Sequence, residues 1–359
     1  MLNAVPGLGP VKIKGLVDNF GSAEKVLELP RGEIISAGVV NKNVAENITQ
    51  WEKHFDLKKE CDLIKKNKVS ILVINDPEYP AILKEIYDPP IVLYIRGAIL
   101  DRDEYAIGIV GARNASYYGL NTAGKIGREL AARGFTIVSG GARGVDTAAH
   151  EGAIQGNGRT IAVFGCGVDI VYPPENEKLA NKIVDNGAII SEFPFGTPPV
   201  RQHFPKRNRI ISGLCRGIVV VEAGKNSGSL ITARLATEQG REVFSVPGRI
   251  DATTSQGTNV LIREGAKPVI DVSDILEEFG ALTNVTSSSE VKSERKSQTA
   301  GLSHLEVKLF SSIQGEEYTV DQLVDITLVP VQDVWKGLAS LEIKGLVKRV
   351  PGNKYVKKG

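Results

Sequence analysis

Residues 203–248 read HFPKRNRIISGLCRGIVVVEAGKNSGSLITARLATEQGREVFSVPG. Within them GIVVVEA (217–223) is a continuous apolar run, KNSGS is a small-residue turn, LITARLATEQG has helical spacing, and EVFSVPG (242–248) returns to a β-rich run. Strand, turn, helix and strand in that order make the repeating unit of a parallel sheet. A run that is apolar at nearly every position belongs to a strand covered on both faces. The helix start is unusual in its charge. Arg201, Lys206, Arg207 and Arg209 surround one aromatic, Phe204, and no carboxylate intervenes before Glu222. Cations, a stackable ring and free backbone N–H groups at one sheet edge are chemistry for holding a phosphate chain.

Outward from this segment the same unit repeats. AIGIVG (106–111), FTIVSG (135–140), TIAVFG (160–165) and AIISEF (188–193) are further short strand runs, most ending in a small residue and followed by a helical pattern. The alternation from Ile91 to about Phe279 predicts an α/β fold with a Rossmann-like, doubly wound, mostly parallel sheet. Residues 1–70 are expected to form a helical domain, because Val17, Phe20, Val26, Leu27, Trp51, Phe55, Leu63 and Ile64 recur at helix-like intervals among charges. The sheet domain then occupies 71–280. Residues 281–300, ALTNVTSSSEVKSERKSQTA, are polar and aperiodic and read as a linker. Residues 301–359 read as helix (304–313), short helix (319–326), helix (330–343) and a hairpin in KGLVKRVPGNKYVKK, which is a winged helix-turn-helix.

Composition narrows the function. With 359 residues and 42% hydrophobic content the chain can bury several cores. Its formal net charge is only +2, so a nucleic-acid footprint must be local. Cys61, Cys166 and Cys215 are far apart, and there are four histidines, which argues against a zinc site and for a reducing compartment. MLNAVPGLGPVKIK lacks a basic stretch followed by an apolar core, and no run of about 18 apolar residues occurs. A cytoplasmic protein without membrane attachment is expected.

In an open parallel sheet the ligand lies beyond the carboxyl ends of the strands. The loops there read GARN (111–114), SGGARGVD (139–146), GCGVD (165–169), EFPFGTPP (192–199) and EAGKNSGS (222–229). GARNASYYG does not fit GxGxxG, and Ser139-Gly140 stands where a ribose-binding carboxylate would be needed, so NAD is not expected. No GxxxxGK[ST] motif occurs. His150 and His203 do not suggest a catalytic triad, and Asp146 with His150, one helical turn apart, reads as a capping and packing pair. The expectation is a binding protein with no catalytic residues, metal or cofactor.

VGAR (110–113), SGGARGVDTAAHEGAI (139–154), VFGCGVDIVYPPEN (163–176), SEFPFGTPP with HFPKRNRIISGL (191–214), GSLITARLATEQGREVFSVPG (228–248) and GTNVLIREGA (257–266) match, in order and spacing, the DprA/Smf family. The resemblance covers the whole sheet domain. It implies a protein that captures and protects single-stranded DNA in natural transformation or recombination, loads RecA onto it, and dimerises through the Rossmann-like domain. It further implies that Arg113 contacts DNA, that Arg201 occupies the family's basic position before the FPxRNR motif, and that Phe204 stacks on a base. Ser139, Gly140 and Gly141 are expected to form a backbone phosphate cradle. Gly111, Arg143, Lys206, Arg207, Asn226 and Ser227 complete the expected DNA surface. For Arg143 a loop-bracing role stands beside DNA contact. For Arg207 and Arg209 the alternative is capping or pairing with Glu192 or Glu222. GTNVLIREGA lies where the family's dimer and RecA surface falls, and equally suits core packing.

VPGLGPVKIKGLVDNFGSAEKVL (5–27) resembles a helix-hairpin-helix, with Gly7 and Gly9 at the hairpin, as in the SAM-like N-terminal domain of the family. The presumed recognition helix of the winged domain carries Gln332, Asp333, Lys336 and Glu342, a poor phosphate surface. The wing offers Lys344, Lys348, Arg349, Lys354, Lys357 and Lys358. The alternative reading is a nucleotide-processing enzyme resembling phosphoribohydrolases. Against it, EAGKNSGSLITA has no glutamate where their PGGxGTxxE motif places the catalytic one.

Overall fold

The computed structural model describes residues 1–279, 303–313, 318–327, 329–344, 346–350 and 354–357. The chain divides into two compact units, Met1–Thr283 and Asn284–Gly359. The linker expected at 281–300 lies outside the described residues.

The first unit begins with five helices: α1 (Pro10–Phe20), α2 (Ala23–Glu28), α3 (Arg31–Ser36), α4 (Lys42–Thr49) and α5 (Leu57–Lys66). Pro10 starts α1, where its missing N–H is no loss, and Gly7 takes a left-handed φ of 80° in the turn before it. Leu16, Val26, Ile34 and Ile48 form a core of their own. Polar contacts fasten the N-terminal segment to the loop after the strand at 187–191: Asn3 Nδ2 donates to the Glu192 carbonyl at 2.8 Å, and Phe195 N–H donates to Glu60 Oε1 at 3.0 Å.

The sheet comprises β1 (Ser70–Val73), β2 (Val92–Gly97), β3 (Ala106–Val110), β4 (Thr136–Ser139), β5 (Thr160–Val163), β6 (Gly187–Ser191), β7 (Gly217–Val220), β8 (Glu242–Ser245) and β9 (Lys267–Pro268). Their spatial order is β1-β2-β6-β5-β4-β3-β7-β8-β9. Strands β3 to β9 pair in parallel, while β2 lies antiparallel to β6 and β1 to β2. The six strand runs read from the sequence are β3 to β8, and every residue of β3 to β7 is buried. β1 was not anticipated, because SILV is partly exposed and has no helix-opening glycine turn after it.

Between the strands lie α6 (Ala81–Lys84), α7 (Tyr117–Ala131), α8 (Val145–Gln155), α9 (Glu177–Asn186), α10 (His203–Gly213), α11 (Gly228–Glu238), α12 (Gln256–Arg263) and α13 (Ser273–Glu278). Successive side chains along a strand point to opposite faces of the sheet. Ala106 and Val110 of β3 face Ile210, Ile211 and Ala233 of α10 and α11 in one core. Ile107 and Ile109 face Ala123, Ile126, Leu130 and Ala149 of α7 and α8 in the other. Truncating a fully buried strand residue such as Ile109 to alanine costs about 2–5 kcal/mol. The strand order reverses between β3 and β7, so the crevice at their carboxyl ends is the topological switch point.

The second unit holds α14 (His304–Ser312), α15 (Val320–Thr327), α16 (Val331–Ile343) and a three-stranded sheet in the order β10 (Tyr318–Thr319), β12 (Lys354–Lys357), β11 (Val347–Val350). Leu309, Leu323, Leu338, Leu341 and Tyr355 pack its core. Ser303 caps α14 in a capping box with Glu306. This is the winged helix read from the sequence, with one change at its surface. Lys344 ends α16, and its Nζ lies 2.7 Å from the Glu306 carboxylate rather than in the hairpin. Lys358 lies outside the described residues.

Candidate functional site

The loop after β3 carries Arg113 to the switch point. Ser116 closes that loop, accepting from Gly119 N–H at 3.1 Å to cap α7. Glu222, at the end of the strand run through β7, is 3% exposed and binds the same serine twice. Ser116 N–H donates to its Oε2 at 2.8 Å, and Ser116 Oγ donates to its Oε1 at 2.6 Å. On the other side, Val145 N–H donates to the Ala112 carbonyl at 3.2 Å. Gly144 makes that approach possible: its φ is +77°, and a Cβ there would lie 2.3 Å from the Ala112 oxygen. Gly111 and Ala112 are therefore held from two sides, while Arg113 itself is exposed.

α10 supplies the facing wall. Phe204 is in its first turn, half-buried, with its ring against Gly165. The Arg113 Cζ stands 5.1 Å from the Phe204 ring centroid, a cation–π distance. The Tyr172 ring lies 5.9 Å away at 36°, and the Arg207 Cζ lies 5.9 Å from the same centroid. Phe204 and Arg207, three residues apart, share a helix face. Lys206 is about 200° round the helix from Phe204. It is exposed and lies near enough to Glu192 to favour that residue's ionised form. Arg201, in the turn before α10, is also exposed, and among the described residues neither Arg201 nor Lys206 has an ion-pair partner.

Arg207 departs from its expected place on the DNA surface. It is 4% exposed, and its Nη1 donates to the Gly140 carbonyl at 2.5 Å and to the Val163 carbonyl. It ties the ends of β4 and β5 together from beneath. Burial lowers the Arg207 pKa to about 10, with Asp146 opposing the shift, so it remains a cation at neutral pH. Arg209 is likewise internal. Its guanidinium meets Glu192 at 2.5 Å and Asp88 at 3.0 Å, which decides between the carboxylates proposed from the sequence in favour of Glu192.

The expected phosphate cradle at Ser139, Gly140 and Gly141 is also corrected. All three residues are buried. Ser139 Oγ donates to the Ile109 carbonyl at 2.6 Å, and the Gly141 carbonyl accepts from Asn176 Nδ2 at 3.1 Å. The loop is already occupied by a carboxyl group: Asp146 Oδ2 accepts from Ala142 N–H at 3.2 Å, and Ser139 and the Gly140 N–H lie near enough to favour its ionised form. Burial raises the Asp146 pKa, and Arg207 pulls it back. Arg143 is exposed and pairs with Glu175, bracing this loop against the turn before α9.

Asn226 is exposed in the turn after β7. Ser227 caps α11, its Oγ accepting from Ser229 N–H at 3.4 Å. The arrangement therefore offers solvent Arg113, Phe204, Tyr172, Arg201, Lys206 and Asn226 at the carboxyl edge, over a floor stiffened by Arg207 and Asp146. Tyr172 was missed in the sequence, although an aromatic in the loop after a sheet strand was a signal for it. Among the described residues, no group of three or more His, Cys, Asp or Glu is placed to hold a metal ion, and no helix is long and apolar enough to cross a membrane.

The sequence matches the family model described as DNA recombination-mediator protein A over residues 70–280, and the DprA winged helix domain over residues 293–353. The chain belongs to the DNA recombination-mediator protein A family. Protein Smf of Synechocystis sp. is 35% identical over 384 residues, covering 98% of this chain and 96% of that protein. DNA processing protein DprA of Bacillus subtilis is 44% identical over 213 residues, covering 59% of this chain and 71% of that one. The crystal structure of DprA from Streptococcus pneumoniae superimposes with a TM-score of 0.67 at 39% identity, over 77% of this chain and 95% of its own. A Helicobacter pylori DprA structure, described as giving insight into a single-stranded DNA binding mode, matches with a TM-score of 0.54 at 32% identity, over 59% of this chain and 95% of its own.

Proposed function

We propose that this chain is a non-enzymatic mediator that binds single-stranded DNA at the switch point, protects it, and hands it to RecA in transformation or recombination. The observation that carries the reading is the exposed Arg113 guanidinium set 5.1 Å over the half-buried Phe204 ring. A strand entering here gives a phosphate to Arg113, while one base stacks on Phe204 or Tyr172. Arginine–phosphate contacts supply affinity without sequence preference. A stacked base adds roughly 1–3 kcal/mol and any base can supply it. A duplex keeps its base faces covered and gains only the first of these. Arg201, Lys206 and Asn226 extend the phosphate contacts along the strand. Arg143 joins them when its surface pair with Glu175 opens, which costs little.

The single-stranded DNA binding mode of the H. pylori relative supports the ligand, and family membership supports the handover to RecA. The same membership supports a cytoplasmic homodimer formed by the sheet domain. α12, which leaves Val260 36% exposed, is the surface we assign to dimer or RecA contact. In this reading residues 71–280 are the DNA-binding module, 1–70 a packing module, and 301–359 an accessory winged helix.

Titration of single- and double-stranded oligonucleotides at several salt concentrations tests the proposal. A strong single-strand preference, with affinity falling as salt rises, is expected. Equal affinity for duplex would sink it. Release of free base from nucleoside monophosphates would instead favour the hydrolase alternative.

A further inference from the structure

A groove leaves the Arg113–Phe204 pocket at the Arg113 side chain. Its volume is about 590 Å³, and it runs between the outer faces of α7 and α8. Arg113 lines its mouth, so one side chain belongs to both the Phe204 pocket and this groove. Along α7 the groove is lined by Tyr117, Asn121, Lys125 and Arg128. Those positions follow a spacing of four, four and three, which puts them on one helix face. They extend the cationic path about 16 Å beyond Arg113.

Three features of this wall fit a nucleic-acid strand. Tyr117 is 86% exposed, an aromatic ring left in water beside cations. Arg128 is exposed and has no ion-pair partner among the described residues. Lys125 is 57% exposed, and its ion pair among the described residues is a 4.0 Å contact with Glu129, which Arg133 also approaches at 3.8 Å. Asp271 also lies within its field. The opposite wall brings one carboxylate, Glu151, against the three cations. The floor is backbone. Gly152 of α8 comes so close to Gly124 of α7 that a Cβ on it would lie 2.2 Å from the Gly124 oxygen. A strand can therefore lie close against the helices with its phosphates toward the α7 cations. Cations separated by a bare aromatic are the composition of a single-strand track.

We propose that the α7–α8 groove is the exit track for the single strand held at the Arg113–Phe204 pocket, with Lys125 and Arg128 contacting phosphates and Tyr117 offering a stacking surface. The proposal rests on the single-strand reading of that pocket. It predicts that substitutions in the groove weaken a long strand and spare a short one, which substitutions in the pocket do not do. Fluorescence anisotropy with oligothymidylates of about five and about fifteen nucleotides, each at several salt concentrations, reads it directly.

In the double variant Lys125→Ala, Arg128→Ala the short oligonucleotide should bind as to wild type. The long one should lose roughly tenfold or more in affinity. Its log–log salt slope should shrink by about 1.4, or about 0.7 for each phosphate that is no longer neutralised. Glu151→Lys should tighten the long oligonucleotide severalfold and leave the short one unchanged, a gain that damage to the fold does not give. Unchanged long-oligonucleotide affinity and slope in both variants, with normal short-oligonucleotide binding, would overturn the track. So would an equal loss on both lengths in the double variant. If wild type binds neither length, the pocket reading itself fails and the track goes with it.

Discussion

Acid should destabilise the sheet unit through His150, a residue that touches no ligand. His150 is 0% exposed, and its Nδ1 lies 2.6 Å from Thr160 Oγ1. The Thr160 hydroxyl donates its hydrogen to the Ile137 carbonyl at 2.8 Å, so at Nδ1 it must accept. That fixes the neutral tautomer with the proton on Nδ1 and leaves Nε2 bare, buried and without a partner. A second proton at Nε2 would find no acceptor and would face the Arg207 cation. Burial first, and Arg207 second, lower the His150 pKa from 6.5 to about 3.

The sign follows from which state binds the proton. Below pH 6.5 the unfolded chain protonates His150 while the folded chain does not, so stability falls with pH from about 6.5 down to about 3. The slope approaches 1.4 kcal/mol per pH unit, which gives a loss of about 2.7 kcal/mol at pH 4.5. Asp146 and Glu192 run the other way, because burial raises both carboxyls and the folded state takes up their protons first. The contribution of His150 is therefore isolated by difference. Urea unfolding of wild type and His150→Gln, followed by far-ultraviolet circular dichroism, gives the stability gap at each pH. The variant's fixed packing cost cancels across pH, and the gap should narrow by about 2.7 kcal/mol between pH 7.5 and 4.5. A gap that stays constant would refute both the assigned tautomer and the buried neutral imidazole.

Arg207→Met keeps the apolar stem but leaves the Gly140 and Val163 carbonyls without a donor. It should cost about 3 kcal/mol in urea unfolding, and a loss below about 1 kcal/mol with abolished DNA binding would return Arg207 to the DNA surface. Gly144→Ala meets both a left-handed φ and the Ala112 oxygen and should lose about 2–4 kcal/mol in stability. Gly196→Ala, with a φ of +72° and open space around its Cβ position, should lose only about 1 kcal/mol. Equal losses at the two glycines would show that the Ala112 approach is not tight. Arg113→Ala and Phe204→Ala should each weaken single-strand binding by about 1–3 kcal/mol. The double variant should lose about 0.5–1 kcal/mol less than their sum, because the cation lies over the ring it helps present. Strict additivity in this cycle would separate the two side chains into independent contacts.

The parts of the fold that could be read in the sequence were those in which composition has one solution. A run such as GIVVVEA is apolar on both alternating faces, and only a strand covered by helices on both sides satisfies it. The strand pair β1 and β2 was harder to read: β1 is partly exposed, and the connection from Val73 to Val92 runs through α6 with no glycine loop to open that helix. In the site, residue types were legible and directions were not. Lys206 and Arg207 are adjacent cations in HFPKRNR, and which one turns inward depends on the phase of α10. That phase is set by Phe204 settling on Gly165, a contact 39 residues away in sequence. The glycine loop at 139–142 was legible as an anion-binding nest, but its occupant was not. Asp146 supplies a carboxyl group from the helix that the loop opens, and a local motif does not distinguish a carboxyl group of the protein from a phosphate of a ligand.

That internal carboxyl group bears on how the proposed site would hold a strand. Asp146 takes the Ala142 N–H, and Arg207 is committed to the Gly140 and Val163 carbonyls, so these donors of the switch point are already used by the protein. Among the donors that the proposal gives to a ligand, Arg113, Arg201 and Lys206 are long, exposed side chains. Such groups can follow a phosphate wherever the backbone brings it, and a contact to phosphate carries no information about the base. The element with fixed geometry is the Phe204 ring, packed on Gly165, with the Arg113 guanidinium over it and Tyr172 beside it. A ring face accepts any unpaired base and no paired one. In the proposed function, tolerance of sequence and discrimination against duplex would have separate structural origins: flexible cations for the first, a clamped aromatic for the second. Exchanging Phe204 for leucine should therefore erode the preference for single over double strands more than the salt dependence. Exchanging Arg113 for alanine should do the reverse.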